Sequence, residues 1–338
     1  MSALPPELAE RGWALIEDEA LTTLAALPSR SVDAVITDPP YGIGFAGHGW
    51  DGREFGFRGK NDWPSGERFA RWTCAWAAEC QRVLKPGGWL LAFAAPRMAH
   101  RTAAGIEEAG FELRDQLLWL YGSGVPKQGL DDQGRSGCLK PAYEPIVLAR
   151  TPLAGRSAAE NALRFGTGLL QIDEARIPRV EGGPGRWPAN VALSHSDTCR
   201  SSRCASDCPV ALLDRSRPGL RPSRFFYCPK PSRDERDAGC EALPLRRVQT
   251  YGSGALRRNA HPTVKPVALM RWLVRLASPP GGLVLDPFAG SGSTGVACLA
   301  EGRRFLGIER DPGYMRIARA RLAQQGSLDP DVEELRAA

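Results

Sequence analysis

The sequence predicts an α/β fold, a mostly parallel sheet with helices on both faces, interrupted by an inserted basic region. Three observations predict it. Short apolar runs of strand length alternate with longer amphipathic stretches, two of those runs empty directly into proline or glycine turns, and one internal stretch dense in Gly, Pro, Arg and Cys breaks the alternation. With 338 residues, 43% of them hydrophobic, the chain is long enough to bury one large core plus a smaller appendage.

The elements follow in order. GWALI (12–16) and VDAVIT (32–37) read as strands, FARWTCAWAAECQRVL (69–84) as a helix, GGWLLAFAA (87–95) as a third strand and MAHRTAAGIEEAGF (98–111) as a second helix. DQLLWLYG (115–122) and YEPIVLAR (143–150) suggest the sheet's far edge. Periodicity then fades until HPTVKPVALMRWLVRLA (261–277), where a helix opens on proline. GGLVLDPFAGSGSTGVACLAEG (281–302) and RRFLGIERDPGYMRIARARL (303–322) form two strand–loop–helix units, and the polar tail 326–338 is expected to fray. The organisation expected is a core built from 1–159 and 256–325, with 160–255 inserted.

Charge is unevenly placed. The whole chain carries +6, but Arg176 to Arg258 holds 16 Lys or Arg against 8 Asp or Glu, which leaves the remainder slightly acidic. Such a stretch is either a solvated face or a surface for a polyanion, where neutralised phosphates release counterions. No apolar run reaches membrane-spanning length and the start MSALPPELAERG lacks a signal peptide's basic and apolar regions, so a cytoplasmic protein without membrane contact is expected.

Two loops carry chemistry. In VLDPFAGSGSTGVA the strand ending at Asp286 meets a loop with Gly290, Gly292 and Gly295, then a helix. Glycines let backbone approach a ligand and helix amides can meet an anionic group, although an ordinary tight turn has the same look. Glu309, 23 residues after Asp286 at the end of the next strand, suits the two hydroxyls of a ribose, which points to a nucleoside. In AVITDPPYGIGFAG the strand must stop at Asp38, because Pro39 and Pro40 remove two backbone donors and fix φ. That leaves a carboxylate and the Tyr41 ring at a strand's carboxyl edge, the usual ligand crevice of open α/β sheets. A turn cap and a core ring are the competing readings.

Together, Asp38-Pro39-Pro40-Tyr41, the Asp286 glycine loop and HPTVKP just before it resemble the DNA amino-methyltransferases, S-adenosylmethionine enzymes that modify N6 of adenine or N4 of cytosine. The order of motifs resembles the circularly permuted β group. The resemblance covers nearly the whole chain, is weakest from 176 to 250, and implies a Rossmann-like methyltransferase core with a target-recognition insert. It implies catalysis by Asp38, Pro39, Pro40 and Tyr41. It implies cofactor contacts by Asp38, Asp286, Pro287, Phe288, Gly290, Ser291, Gly292, Ser293, Thr294, Glu309 and Arg310, with Thr263 and Lys265 near the methionine end. One departure is IEDEALTTL, where the family usually has Gly-Asp, which leaves the adenine-ring contact open between Asp18 and Glu19. The DPPY form leans to adenine N6, with cytosine N4 as the alternative. Double-stranded DNA is the implied partner, and a cognate restriction endonuclease and a homodimer stay open. RNA or protein-amide methylation, and a DNA-binding protein without turnover, are readings of other classes. The basic insert favours nucleic acid, and an intact Asp38 and Tyr41 favour turnover.

The chemistry asks for these groups. An exocyclic amino group is a poor nucleophile because its lone pair is delocalised into the ring. Asp38 can accept one of its N–H bonds and the Pro39 carbonyl the other, drawing the nitrogen towards tetrahedral geometry as charge develops. Tyr41 would stack on the base, which must leave the duplex to expose that nitrogen. Residues 42–66, with eight glycines and with His48, Trp50 and Trp63, read either as a surface loop or as a lid over the base.

Nine cysteines, an odd number in a long chain, disfavour a disulfide framework. In SHSDTCRSSRCASDCP, His195, Cys199, Cys204 and Cys208 are spaced by four, five and four, which suits one structural zinc or, equally, reduced thiols; Cys228 is a spare ligand candidate.

Overall fold

Apolar residues on both faces of the strands demand helices above and below the sheet, and that is the arrangement of the computed structural model. It describes residues 3–52, 66–122, 124, 129–179, 182–196, 198–199, 203–217, 219–229, 234–248 and 254–325. The first half runs α1 (Glu7–Glu10), β1 (Trp13–Ile16), α2 (Ala20–Ala26), β2 (Val32–Thr37), α3 (Gly66–Val83), β3 (Leu84–Phe93), α4 (Ala99–Glu108), β4 (Glu112–Leu120) and β5 (Tyr143–Arg150). Then come α5 (Ala158–Phe165), β6 (Val191–Leu193), α6 (Pro209–Arg215), β7 (Arg246–Arg247), β8 (Leu256–Arg257), α7 (Val267–Ala277), β9 (Leu283–Asp286), α8 (Ser293–Ala300), β10 (Arg304–Ile308) and α9 (Pro312–Gln325). Among the described residues no helix is long and apolar enough to cross a membrane. The expected tail 326–338 lies outside them.

Eight strands form one sheet in the order β1-β10-β9-β2-β3-β5-β4-β6. The first five are parallel, β5 runs against its neighbours, and β4 and β6 return to the common direction. Alternating residues feed two cores. Ala34, Ile36 and Val284 pack with α7 and α8, while Val35, Leu283 and Leu285 pack with Trp76, Ala77 and Cys80 of α3. Trp272 of α7, 1% exposed, donates from Nε1 to the Ala175 carbonyl at 3.0 Å, so one side chain both fills the core and satisfies a loop.

The order of strands fixes the site. From β9 the chain crosses to β10 on one side, and from β2 it crosses to β3 on the other. Two right-handed crossovers leaving in opposite directions put their helices on opposite faces, and a crevice opens between the carboxyl ends of β9 and β2. Asp286 ends β9, and Asp38 follows β2 directly.

The far edge differs from expectation. It is not β4 or β5 but β6, three residues of the 160–255 stretch, paired with Leu118–Leu120 of β4. Three residues carry no readable period. The start of the same stretch is tied to the core through the Gln171 amide, which donates to Leu276 at 2.9 Å.

Candidate active site

A cavity of about 540 Å³ opens at the crevice, lined from one side by Asp38, Pro39, Pro40 and Tyr41 and from the other by Asp286 to Ser291. Asp51, 1% exposed, organises the first side. Its carboxylate accepts from the amides of Tyr41 (2.6 Å), Gly42 (2.9 Å), Ile43 (3.3 Å) and Phe45 (2.7 Å), drawing the chain after Pro40 into a closed turn. Burial pushes the Asp51 carboxyl up and these donors pull against it, with the upward shift prevailing. Gly42 is required there: φ is +66° and a Cβ would stand 2.5 Å from the Phe69 ring. The sequence gives no motif for Asp51, only a lone acid ten positions after Tyr41. Of the expected lid, His48 and Trp50 pack at 5.2 Å beside this turn, and Trp63 lies outside the described residues.

Asp38 sits in a buried charged cluster. Tyr41 donates its hydroxyl to Asp38 Oδ1 (2.6 Å) and to Glu144 Oε2 (3.0 Å), and Lys265 Nζ donates to Asp38 Oδ2 at 2.6 Å and lies 3.2 Å from Glu144 Oε2. Burial lowers the Lys265 pKa, but the two carboxylates outweigh it and hold the ammonium above the ordinary lysine range. Burial raises the Tyr41 phenol well above its usual value, and the negative charges of Asp38 and Glu144 add to the shift, so the ring stays neutral. Burial raises Glu144 too, Lys265 pulling against it. Lys265 meets Asp38 and Glu144 on the cavity wall, where the two carboxylates compensate its burial. Glu144, on β5, is a residue that sequence reasoning missed; only its place in a strand beside the cavity reveals it.

The second side is a glycine loop fixed from behind. Gly290 and Gly292 have φ of +52° and +76°, and a Cβ on Gly290 would meet His261 Nε2 at 2.7 Å. Arg321, 2% exposed, donates from Nη1 to the Ser291 carbonyl (2.8 Å) and the hydroxyls of Ser291 (3.2 Å) and Ser293 (3.1 Å). Asp286 is turned inward, accepting from Thr37 (2.7 Å), Thr294 (2.6 Å) and the Phe288 amide (3.1 Å); burial lifts its carboxyl to about 6 against these donors. Its carboxylate shapes the loop. Phe288 lines the cavity and packs on Trp72 at 5.5 Å. Glu309 accepts from the Gly290 amide at 2.8 Å and the Asp311 amide at 2.7 Å while lining the cavity.

Asp18 and Glu19 also line it, but Glu19 caps α2 through the amides of Leu21 and Thr22, and Asp18 accepts from Thr23 and the Glu19 amide. Pro287, Thr263 and Arg310 lie on the wall. Of the described residues expected to touch a cofactor, Gly292 is the one off the cavity: it starts α8 with its Cα towards Ala318 of α9. His195, Cys199, Cys204 and Cys208 come together at a separate place, their ligand atoms within 4.8 Å of one another.

The chain is 27% identical over 319 residues to the DNA adenine methyltransferase YhdJ of Escherichia coli K12, covering 94% of this chain and 85% of that protein. It is 24% identical over 351 residues to the type II methyltransferase M.HindIII of Haemophilus influenzae, covering 91% of this chain and 94% of that one. In fold it is similar to the cytosine-N4-specific PvuII DNA methyltransferase, at a TM-score of 0.56 and 17% identity over 94% of this chain and 87% of that one. The model of the N6/N4 DNA methylase family matches residues 32–320, a span that holds Asp38, Lys265, Asp286 and Glu309 together, and the chain belongs to that family.

Proposed function

We propose that this DNA methyltransferase takes its methyl group from S-adenosylmethionine and places it on N6 of adenine in double-stranded DNA, as a permuted, β-group member of its family. The observation that carries the reading is the pairing of Asp38 and Tyr41, at the end of β2, with the glycine loop after β9 across one cavity. The residues fit the cofactor. The volume is that of a nucleoside-sized site, Gly290 and Gly292 hold conformations a side chain would spoil, and Phe288 offers an aromatic wall. Glu309 would hold the ribose, Asp18 or Glu19 the adenine ring, and Thr263 and Lys265 the methionine end. When bound, the cofactor supplies an electrophilic methyl on its sulfonium.

The chain's own residues position and charge-stabilise the amine. Asp38 Oδ1 accepts one amino N–H and the Pro39 carbonyl the other, which frees the lone pair. Tyr41 surrenders its bond to Oδ1 without losing a partner, because Glu144 already accepts from the same hydroxyl. Lys265 keeps Oδ2 and fixes the carboxylate's direction. The cluster sets two carboxyl groups against the single ammonium of Lys265, an arrangement that favours the cationic nitrogen that forms. Asp38 is placed to take the proton the methylated amine then sheds. Trp187, 68% exposed, and Phe225, with Arg186 and Arg224 over its ring at 5.6 and 5.0 Å, give the basic region aromatic faces suited to DNA. The likeness to a type II methyltransferase favours a cognate restriction endonuclease as a companion activity.

Methylation-sensitive sequencing of DNA from cells expressing the chain tests the reading. N6-methyladenine at one recurrent sequence is expected; N4-methylcytosine there would reassign the base, and no modification would reject the activity on DNA.

A further inference from the structure

We propose that His195, Cys199, Cys204 and Cys208 bind one zinc ion in a closed tetrahedral site that clasps the basic region to the sheet. His195 Nδ1 lies 3.5 Å from Cys204 Sγ and 3.4 Å from Cys208 Sγ, and all four ligand atoms fall within 4.8 Å of one another. A tetrahedron with Zn–S of about 2.3 Å and Zn–N of about 2.0 Å has N···S edges of roughly 3.5 Å and S···S edges of roughly 3.8 Å, so the donors already stand close to a zinc shell. A disulfide would account for two sulfurs and leave the imidazole's approach to both unexplained. Cys228 is not a fifth member: its thiol donates to the carbonyls of Ser223 (3.6 Å) and Phe226 (3.5 Å).

The surroundings need such a clasp. The satellite core here has Leu193, Cys208 and Val210 as its buried apolar members, too little to order a segment by hydrophobic burial alone. Yet backbone pairing runs straight into the cluster. Leu193 donates to Tyr227 (2.9 Å), Ser194 to Leu120 (2.9 Å) and His195 to Pro229 (3.1 Å), and Trp119 Nε1 bonds the Ser194 hydroxyl at 2.7 Å. A metal at His195 would lock these strands' ends to the loop of Cys199 and Cys204 and to the start of α6. Since β6 runs with β4, and β4 with β2, the clasp stands beyond the same sheet edge as Asp38 and Asp286. Four protein ligands leave no open position, which makes the role structural.

Elemental analysis of protein grown with zinc and purified without a histidine tag tests this, and reads metal independently of methyl transfer. About one zinc per chain is expected, retained in Cys240→Ser and lost in Cys204→Ser. Less than about half an equivalent in the wild-type protein, or a Cys204→Ser variant that keeps its zinc, would overturn the site. Should Cys204→Ser fail to fold, cobalt(II) exchange into the wild-type protein decides: intense visible bands with thiolate-to-cobalt charge transfer support the tetrahedral Cys₃His site, and weak octahedral bands reject it.

Discussion

The Lys265 ammonium lies 2.6 Å from Asp38 Oδ2, a bond that joins the end of β2 to the segment before α7 across 227 positions of sequence. It holds one carboxylate oxygen in place, while the other accepts from the Tyr41 hydroxyl at 2.6 Å and would exchange that bond for one from a substrate amine. Asp38→Ala is therefore expected to lower kcat by about 10²–10³, as for the loss of a single charge-stabilising contact, with cofactor and DNA affinities largely retained. Single-turnover methyl transfer to DNA, alongside calorimetry for the cofactor, measures both. A loss below about tenfold, 1.4 kcal/mol, would mean that Asp38 is not the amine's acceptor.

Glu144→Gln probes the second carboxyl group of the cluster. The amide can still accept from Tyr41 and Lys265, so shape is kept while one negative charge disappears. The variant should lose about tenfold or more in single-turnover rate, because the positive charge moves onto the amine beside this cluster as the methyl leaves the sulfonium. An unaltered rate would reduce Glu144 to a partner that neutralises Lys265.

How much of this was legible differs by residue. Asp38, Tyr41 and the glycine loop could be read because each breaks a strand with residues that only a turn or close approach requires. The ends of β2 and β9 then had to be neighbours for those residues to share a cavity. Glu144 and Asp51 could not be read. Their roles depend on β5 lying against β3 and on a loop folding back by ten residues, and neither leaves a mark on local composition. The edge strand β6 escapes because three residues show no period, and the pairing of Lys265 with Asp38 and Glu144 is not legible because the two carboxylates come from distant segments.

Glu309→Ala should weaken S-adenosylmethionine binding by about 1.5–3 kcal/mol, because two ribose hydroxyls would lose a charged acceptor. The same carboxylate holds the Gly290 amide at 2.8 Å, so part of the loss would come from a loosened loop. Glu309→Gln separates the two, since its carbonyl can keep Gly290 in place; an affinity midway between wild type and Ala is expected by calorimetry. Wild-type affinity in both variants would put the ribose elsewhere.

His261 links the site to acid stability. Its Nδ1 accepts from the Thr263 amide at 3.3 Å, its ring meets Tyr314 edge-on at 4.4 Å, and a Cβ added to Gly290 would stand 2.7 Å from its Nε2. Burial lowers its pKa from 6.5 to about 3, and the positive charges of Lys265, Arg236 and Arg321 push the same way. Between those values the unfolded chain binds a proton that the folded one refuses, so stability must rise with pH across the window and fall as pH drops from 6.5 towards 3. The slope approaches about 1.4 kcal/mol per pH unit, with a ceiling of roughly 5 kcal/mol across the window. Asp286, with its carboxyl raised to about 6, acts oppositely between 3.8 and 6, so the net curve mixes the two. The difference between wild type and His261→Gln removes that mixture. Urea unfolding at pH 7.5 and 5 should show the variant losing less stability than wild type over that interval, by about 1–2 kcal/mol. Parallel losses in the two proteins would mean that the His261 ring titrates normally in the folded chain.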